Sequence, residues 1–223
     1  MEHPTVLHLH LARIILLTPI QQILDLTNIL VNQEPSSERE PKITDLRRHI
    51  RRWAVEDQYK ARLATIHAGV LFWHVRRYST DAFYEPSSVL LASLLLWAYG
   101  TYAPHTLPKS SRQNNTNSPD VANDDDDDDD TDPEASSLFP TSIQLDRPAD
   151  DELVQLFVKR GSSMRANITG VGNLCSPKGP LRVLNEGRNL LFGLRMWGEG
   201  RTGVEKLSTL IELCKRDDWR DID

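Results

Sequence analysis

The strongest charge feature of the chain is Leu46-Arg47-Arg48-His49-Ile50-Arg51-Arg52-Trp53. Arg47 with Arg51, and Arg48 with Arg52, are i,i+4 neighbours, so on a helix they share one cationic face while Leu46, Ile50 and Trp53 turn inward. Four guanidinium forks on one face suit phosphate groups, a nuclear import receptor or an acidic partner surface. The same pattern also reads as a solvated exterior, because charged faces are the ordinary outside of amphipathic helices. Arg47, Arg48, Arg51 and Arg52 are the candidate contact residues under either reading.

Other residues with chemical potential do not assemble into a site by spacing. His67 and His74 are seven apart and share a helix face, but structural zinc takes four protein ligands and no further ones stand at suitable spacing, so both read as packing or capping histidines. His8 and His10 are two apart and would not face each other on a helix. Cys175 and Cys214 form no CxxC pair, which indicates neither a thiolate zinc cage nor a disulfide framework, and a reducing compartment fits best. Gly170-Val171-Gly172-Asn173-Leu174-Cys175 has the opening of a dinucleotide fingerprint, yet Cys175 replaces the third glycine and the pattern follows a helical stretch. Its glycines read as a turn between helices that uses positive φ. No GxSxG, HExxH or lysine-bearing phosphate loop is present. The expectation is a chain with no catalytic residue, no bound cofactor and no metal of its own.

The elements that would position these residues are helical. Thr18-Pro19-Ile20-Gln21 carries capping-box chemistry, so a helix should begin or kink there, and Ile20, Ile23, Leu24, Leu26 and Leu30 give it a buried face. A long helix should follow to about Tyr78, with Ile43, Leu46, Ile50 and Trp53 and then Tyr59, Leu63, Ile66 and Val70 on its inner side, and Glu56 placed to pair with Lys60. Glu85-Pro86 opens another, whose residues 89–98 are apolar all round and mark a central, covered helix ended by Gly100 and Pro104. That run falls far short of the ~20 residues that span a bilayer, and no membrane segment or export signal is expected. The sequon Asn167-Ile168-Thr169 is accordingly read as unglycosylated.

Residues 104–145 differ in kind. Between 104 and 147 there are eleven acidic and three basic residues, seven of the acids forming the unbroken aspartate run at 124–130. Such self-repulsion favours an extended, disordered insert. The rest of the chain holds 21 acidic and 23 basic residues, so overall charge decides nothing about a nucleic-acid partner. Helical patterning returns with Asp150, Asp151 and Glu152 in a first turn and Leu153, Leu156, Phe157, Met164 and Ile168 as a stripe reaching Gly170. Pro180 starts a further helix, and Thr202 with Glu205 makes a second capping box for the last one, faced by Val204, Leu207, Leu210, Ile211 and Cys214. The expected fold class is all-α: an irregular helical bundle with a disordered acidic insert. It divides into residues 1–103, the insert 104–145, a second helical part 146–216 of the same domain, and a tail 217–223.

Arg52-Trp53-Ala54-Val55-Glu56-Asp57-Gln58-Tyr59-Lys60-Ala61-Arg62-Leu63 and Ile66-His67-Ala68-Gly69-Val70-Leu71-Phe72-Trp73-His74-Val75-Arg76-Arg77-Tyr78 resemble the fungal-specific transcription factor domain. This is the helical middle homology region of fungal regulators, here of the kind that carry two-Cys, two-His zinc fingers. Leu96-Trp97-Ala98-Tyr99-Gly100, Asp146-Arg147-Pro148, Asp151-Glu152-Leu153-Val154-Gln155-Leu156-Phe157, Gly170-Val171-Gly172 and Gly179-Pro180 are similar to the same family. The resemblance implies a nuclear regulator of RNA polymerase II transcription. DNA contact and zinc would belong to a finger that this sequence does not contain, leaving a regulatory fragment. Partners would be other proteins, or a second copy through helical surfaces left uncovered. A helical adaptor unrelated to transcription is the alternative reading.

Overall fold

The structure, a computed structural model, describes residues 5–32, 39–103, 142–147, 151–194 and 198–216. The architecture is all-α, as the patterning predicts. The N-terminal part consists of α1 (Thr5–Leu17), α2 (Ile20–Asn32), α3 (Arg39–Val55), α4 (Gln58–Tyr78) and α5 (Glu85–Tyr102). After residues 104–141 the described chain resumes with β1 (Ser142–Gln144), α6 (Asp151–Arg160), a 3₁₀ turn at Gly161–Ser163, β2 (Arg165–Ile168), β3 (Gly172–Asn173), α7 (Gly179–Gly193) and α8 (Gly198–Lys215). The aspartate run lies outside the described residues, and so does the tail 217–223. Residues 142–145, assigned above to the insert, belong to the fold: Ile143 and Leu145 are buried, and Leu145 N–H donates to the Asn167 carbonyl at 2.8 Å.

Helix α5 is central because it has no polar face to expose. Val89, Leu94, Leu95, Leu96 and Trp97 are fully enclosed, between α4, α7, α8 and α2. Proline at the start costs no hydrogen bond, since the first amides of a helix lack intrahelical partners in any case. Gly100 does not stop this helix, which continues to Tyr102. A side chain at 100 would meet the Leu174 carbonyl at 2.9 Å. The α5–α7 crossing is tighter still, for a Cβ on Gly187 would sit 2.0 Å from Ser93 Oγ.

Four further expectations are corrected. The long helix is two helices, broken at Glu56–Asp57, where Glu56 and Asp57 amides both turn back to the Arg52 carbonyl. The break re-aims the chain: Tyr59, expected inside, is 59% exposed, whereas α4 buries Ala61, Ala64, Ala68, Leu71 and Phe72. Glu56 accordingly pairs with Arg52 and not with Lys60. Neither capping box forms as expected. Thr18 Oγ1 is buried without a hydrogen bond, the first α2 amides go to the Thr18 and Pro19 carbonyls, and Thr202 lies inside α8, which starts at Gly198. α1 and α2 do meet at a sharp corner of 84° at Pro19, where helical continuation is blocked.

The fourth correction concerns residues 150–170. The helix ends at Arg160, Ala166 and Ile168 form the inner side of β2, alternating with Arg165 and Asn167, and the buried Met164 just before the strand continues that side. β2 pairs parallel with β1 (Ile143 opposite Ala166) and antiparallel with β3 (Ile168 opposite Gly172). A parallel pair needs a crossover connection, and α6 lies in it.

Candidate functional site

A well-connected polar group is Arg76, in the last turn of α4, where a cation suits the negative end of the helix dipole. Its Nη1 donates to Asp146 Oδ2 at 3.0 Å. Its Nη2 donates to the Thr169 carbonyl at 2.7 Å and to Glu186 Oε1 at 2.9 Å. Asp146 is 1% exposed and also accepts from the Thr169 amide at 3.2 Å and from Gln144 Nε2. A carboxylate this buried is tolerated only when charge and hydrogen bonds replace its lost water. One guanidinium thus ties α4 to the end of β1, the β2–β3 turn and α7.

Backbone close to this joint has no room for side chains. A Cβ on Gly69 would meet the Leu145 carbonyl carbon at 2.7 Å, so the glycine in α4 lets the end of β1 cross it. Gly170 and Gly172 take φ of +81° and +75°, and a Cβ at Gly170 would strike Glu186 Oε2. The expected positive φ is present, but the turn joins two strands and not two helices. Its chemistry is mechanical: it lets Thr169 offer both amide and carbonyl to one ion-pair cluster.

A second buried cation fastens α6. Arg62, 3% exposed, donates from Nη1 to the Val158 carbonyl at 3.2 Å and from Nη2 to Gln58 Oε1. No carboxylate pairs with it among the described residues. The Val158 carbonyl, in the last turn and so at the negative end of α6, takes the place of one. Tyr99 and Cys175 lie nearby. Burial raises the Tyr99 phenol above its ordinary range, with Cys175 adding and Arg62 opposing. Burial likewise pushes the Cys175 thiol up to about 11, which leaves it protonated and weakly nucleophilic at neutral pH.

The histidines separate. His67 faces not His74 but His10 of α1, Nδ1 to Nδ1 at 3.0 Å, a contact that requires one ring to carry the bridging proton. Burial first, then His10 and Arg13, lowers the His67 pKa to about 4. His74 packs its ring on Tyr78 at 5.6 Å, and His8 sits on Tyr84 at 4.2 Å. Among the described residues no three His, Cys, Asp or Glu side chains are arranged to hold a metal ion.

The four arginines nominated from the sequence are divided by the structure. Arg47 is half-buried beside Tyr102, whose phenol burial pushes up to about 12 against the opposing pull of that guanidinium. Arg48 pairs with Asp45 at 3.2 Å and Arg52 with Glu56 at 2.8 Å, all four side chains well exposed. Arg51 is exposed. The face is therefore of mixed sign. Arg76, Glu186, Arg62 and His10 were not singled out from sequence as site residues, since each is defined by partners 57 to 110 residues away. Asp146 was legible only as part of the resemblance.

What the fold and the joint define is an all-α bundle whose separated segments are locked by a partly buried ion-pair cluster. No family model, no curated protein and no solved structure matches the chain.

Proposed function

We propose that this chain is the helical regulatory region of a fungal-type transcription factor, acting in the nucleus on RNA polymerase II transcription through protein contacts. One observation carries the reading. The segments that bear the resemblance are remote in sequence, yet Gly69 and Arg76 of α4, Asp146, Gly170 and the helix opened by Gly179-Pro180 meet around a single joint. Residues that carry a family likeness because they fix a fold should converge in this way. In such a protein DNA would be read by a zinc finger outside this sequence, and the bundle would act by packing against neighbours in alternative states.

Fusing the chain to a heterologous DNA-binding domain tests this. Reporter output should rise or fall at least several-fold relative to that domain alone. An Arg76→Ala fusion, with the joint broken, should lose the effect. Unchanged output from a fusion shown to be folded and nuclear would overturn the reading in favour of an adaptor unrelated to transcription.

A further inference from the structure

Helix α1 is apolar on both sides but covered on only one. Leu7 and Ile14 enter the core, whereas Leu9, Ile15 and Leu16 are 49%, 46% and 82% exposed. Leu9, Ala12 and Leu16 follow at steps of three and four, which puts them on one outward stripe. Arg13 lies on one rim of that stripe, and His8 with Ile15 lies on the other. The surface continues past α1, because His8 rests on Tyr84 and Tyr84 meets Phe83, 71% exposed, edge-on at 5.4 Å. Contiguous apolar exposure of this kind marks interaction surfaces.

The charges identify the occupant. Of the basic side chains of α1, Arg13 and His8 border the stripe while His10 turns to His67, and the helix carries no acid. Of the acids in the adjoining turn, Glu85 is buried and bonded to Ser79 and Thr80, and Asp81 is half-buried and engaged. A second copy of α1 would bring like charge against like. In the chain's own acidic segment the only large apolar residues beside the acids are Leu138 and Phe139, bracketed by Pro133 and Pro140, too short a stretch for a helix that fills the stripe. We propose that this surface docks an amphipathic helix of another protein, with leucine-like residues at i, i+3, i+4 and i+7 and carboxylates on its rims. The inference does not depend on a role in transcription.

Two synthetic probe helices with the same leucine stripe, one rimmed with glutamate and one with lysine, decide it by fluorescence anisotropy with the full chain. The glutamate probe should bind about tenfold or more tightly at low salt, and the gap should shrink as salt rises. Arg13→Glu should narrow or invert that preference. Leu16→Glu should weaken binding about tenfold, and because Leu16 is so exposed the variant should keep its helical circular dichroism. Phe83→Ser supplies an independent weakening on the other end of the surface. Equal binding of both probes, binding of neither, or insensitivity to Leu16→Glu would overturn the proposal. So would a concentration-dependent dimer, seen in analytical ultracentrifugation, that Leu16→Glu dissolves.

Discussion

Around Arg76, a handful of polar atoms holds four segments of chain together, whereas along the outer side of α1 several large apolar side chains stand half or more exposed. Both regions run against the usual partition of polar outside and apolar inside. In the first, burial is permitted because every charge finds an opposite charge or a hydrogen bond within about 3 Å, so desolvation is offset locally. In the second, exposure costs the folded chain little, since an apolar side chain left in water is in the same environment as in the unfolded state. The first region is therefore where substitution should damage the fold, and the second is where it should damage only association.

The largest effect is expected at the joint. Arg76→Ala leaves Asp146 and Glu186 as neighbouring carboxylates with no cation between them, and should cost about 3–5 kcal/mol in denaturant unfolding. Exposed helix-face substitutions such as Leu16→Glu should change stability by less than about 0.5 kcal/mol. If the two costs came out alike, the contrast between the regions would be wrong. Next in size is Gly187→Ala, which drives a methyl into Ser93 and should cost about 1–3 kcal/mol by overpacking. Ser93→Gly in the same chain should recover part of the loss.

A pH-dependent effect, absent at neutral pH and growing on acidification, belongs to His67. Its pKa lies near 4 in the fold against 6.5 in the unfolded chain, so between those values the unfolded state binds the extra proton. Stability should be full above about pH 6.5 and decline as pH falls towards 4, at up to about 1.4 kcal/mol per pH unit. His67→Gln should flatten that slope, as followed by thermal melts across the window. Smallest of all, Arg52→Ala removes an exposed pair to Glu56 and should cost no more than about 0.5 kcal/mol. Arg51→Ala should be neutral to folding.

Sequence was most informative where local rules and burial agree. The corner at Pro19, the start of α5 at Glu85-Pro86, the start of α7 at Pro180 and the all-round burial of residues 89–98 all follow from near neighbours and a helical period. It misled where two patterns overlapped. Met164 and Ile168 satisfy a helical step from Phe157, but with Ala166 they also alternate with a period of two, and pairing with β1 selected the strand. Of the site, the arginine face was visible because its four members are adjacent in the chain, and their partial neutralisation by Asp45 and Glu56 lies within one helical turn.

By itself the sequence determined the helical class, the helix starts that proline marks, and a cationic cluster on α3, because proline geometry and amphipathic period are decided within a turn or two. Tertiary structure alone decided that Arg76 answers to Asp146 and Glu186, that His67 meets His10, and that Leu9, Ile15 and Leu16 of α1 are left exposed. Those outcomes depend on which surfaces arrive at the same place after folding, and spacing along the chain carries no record of that.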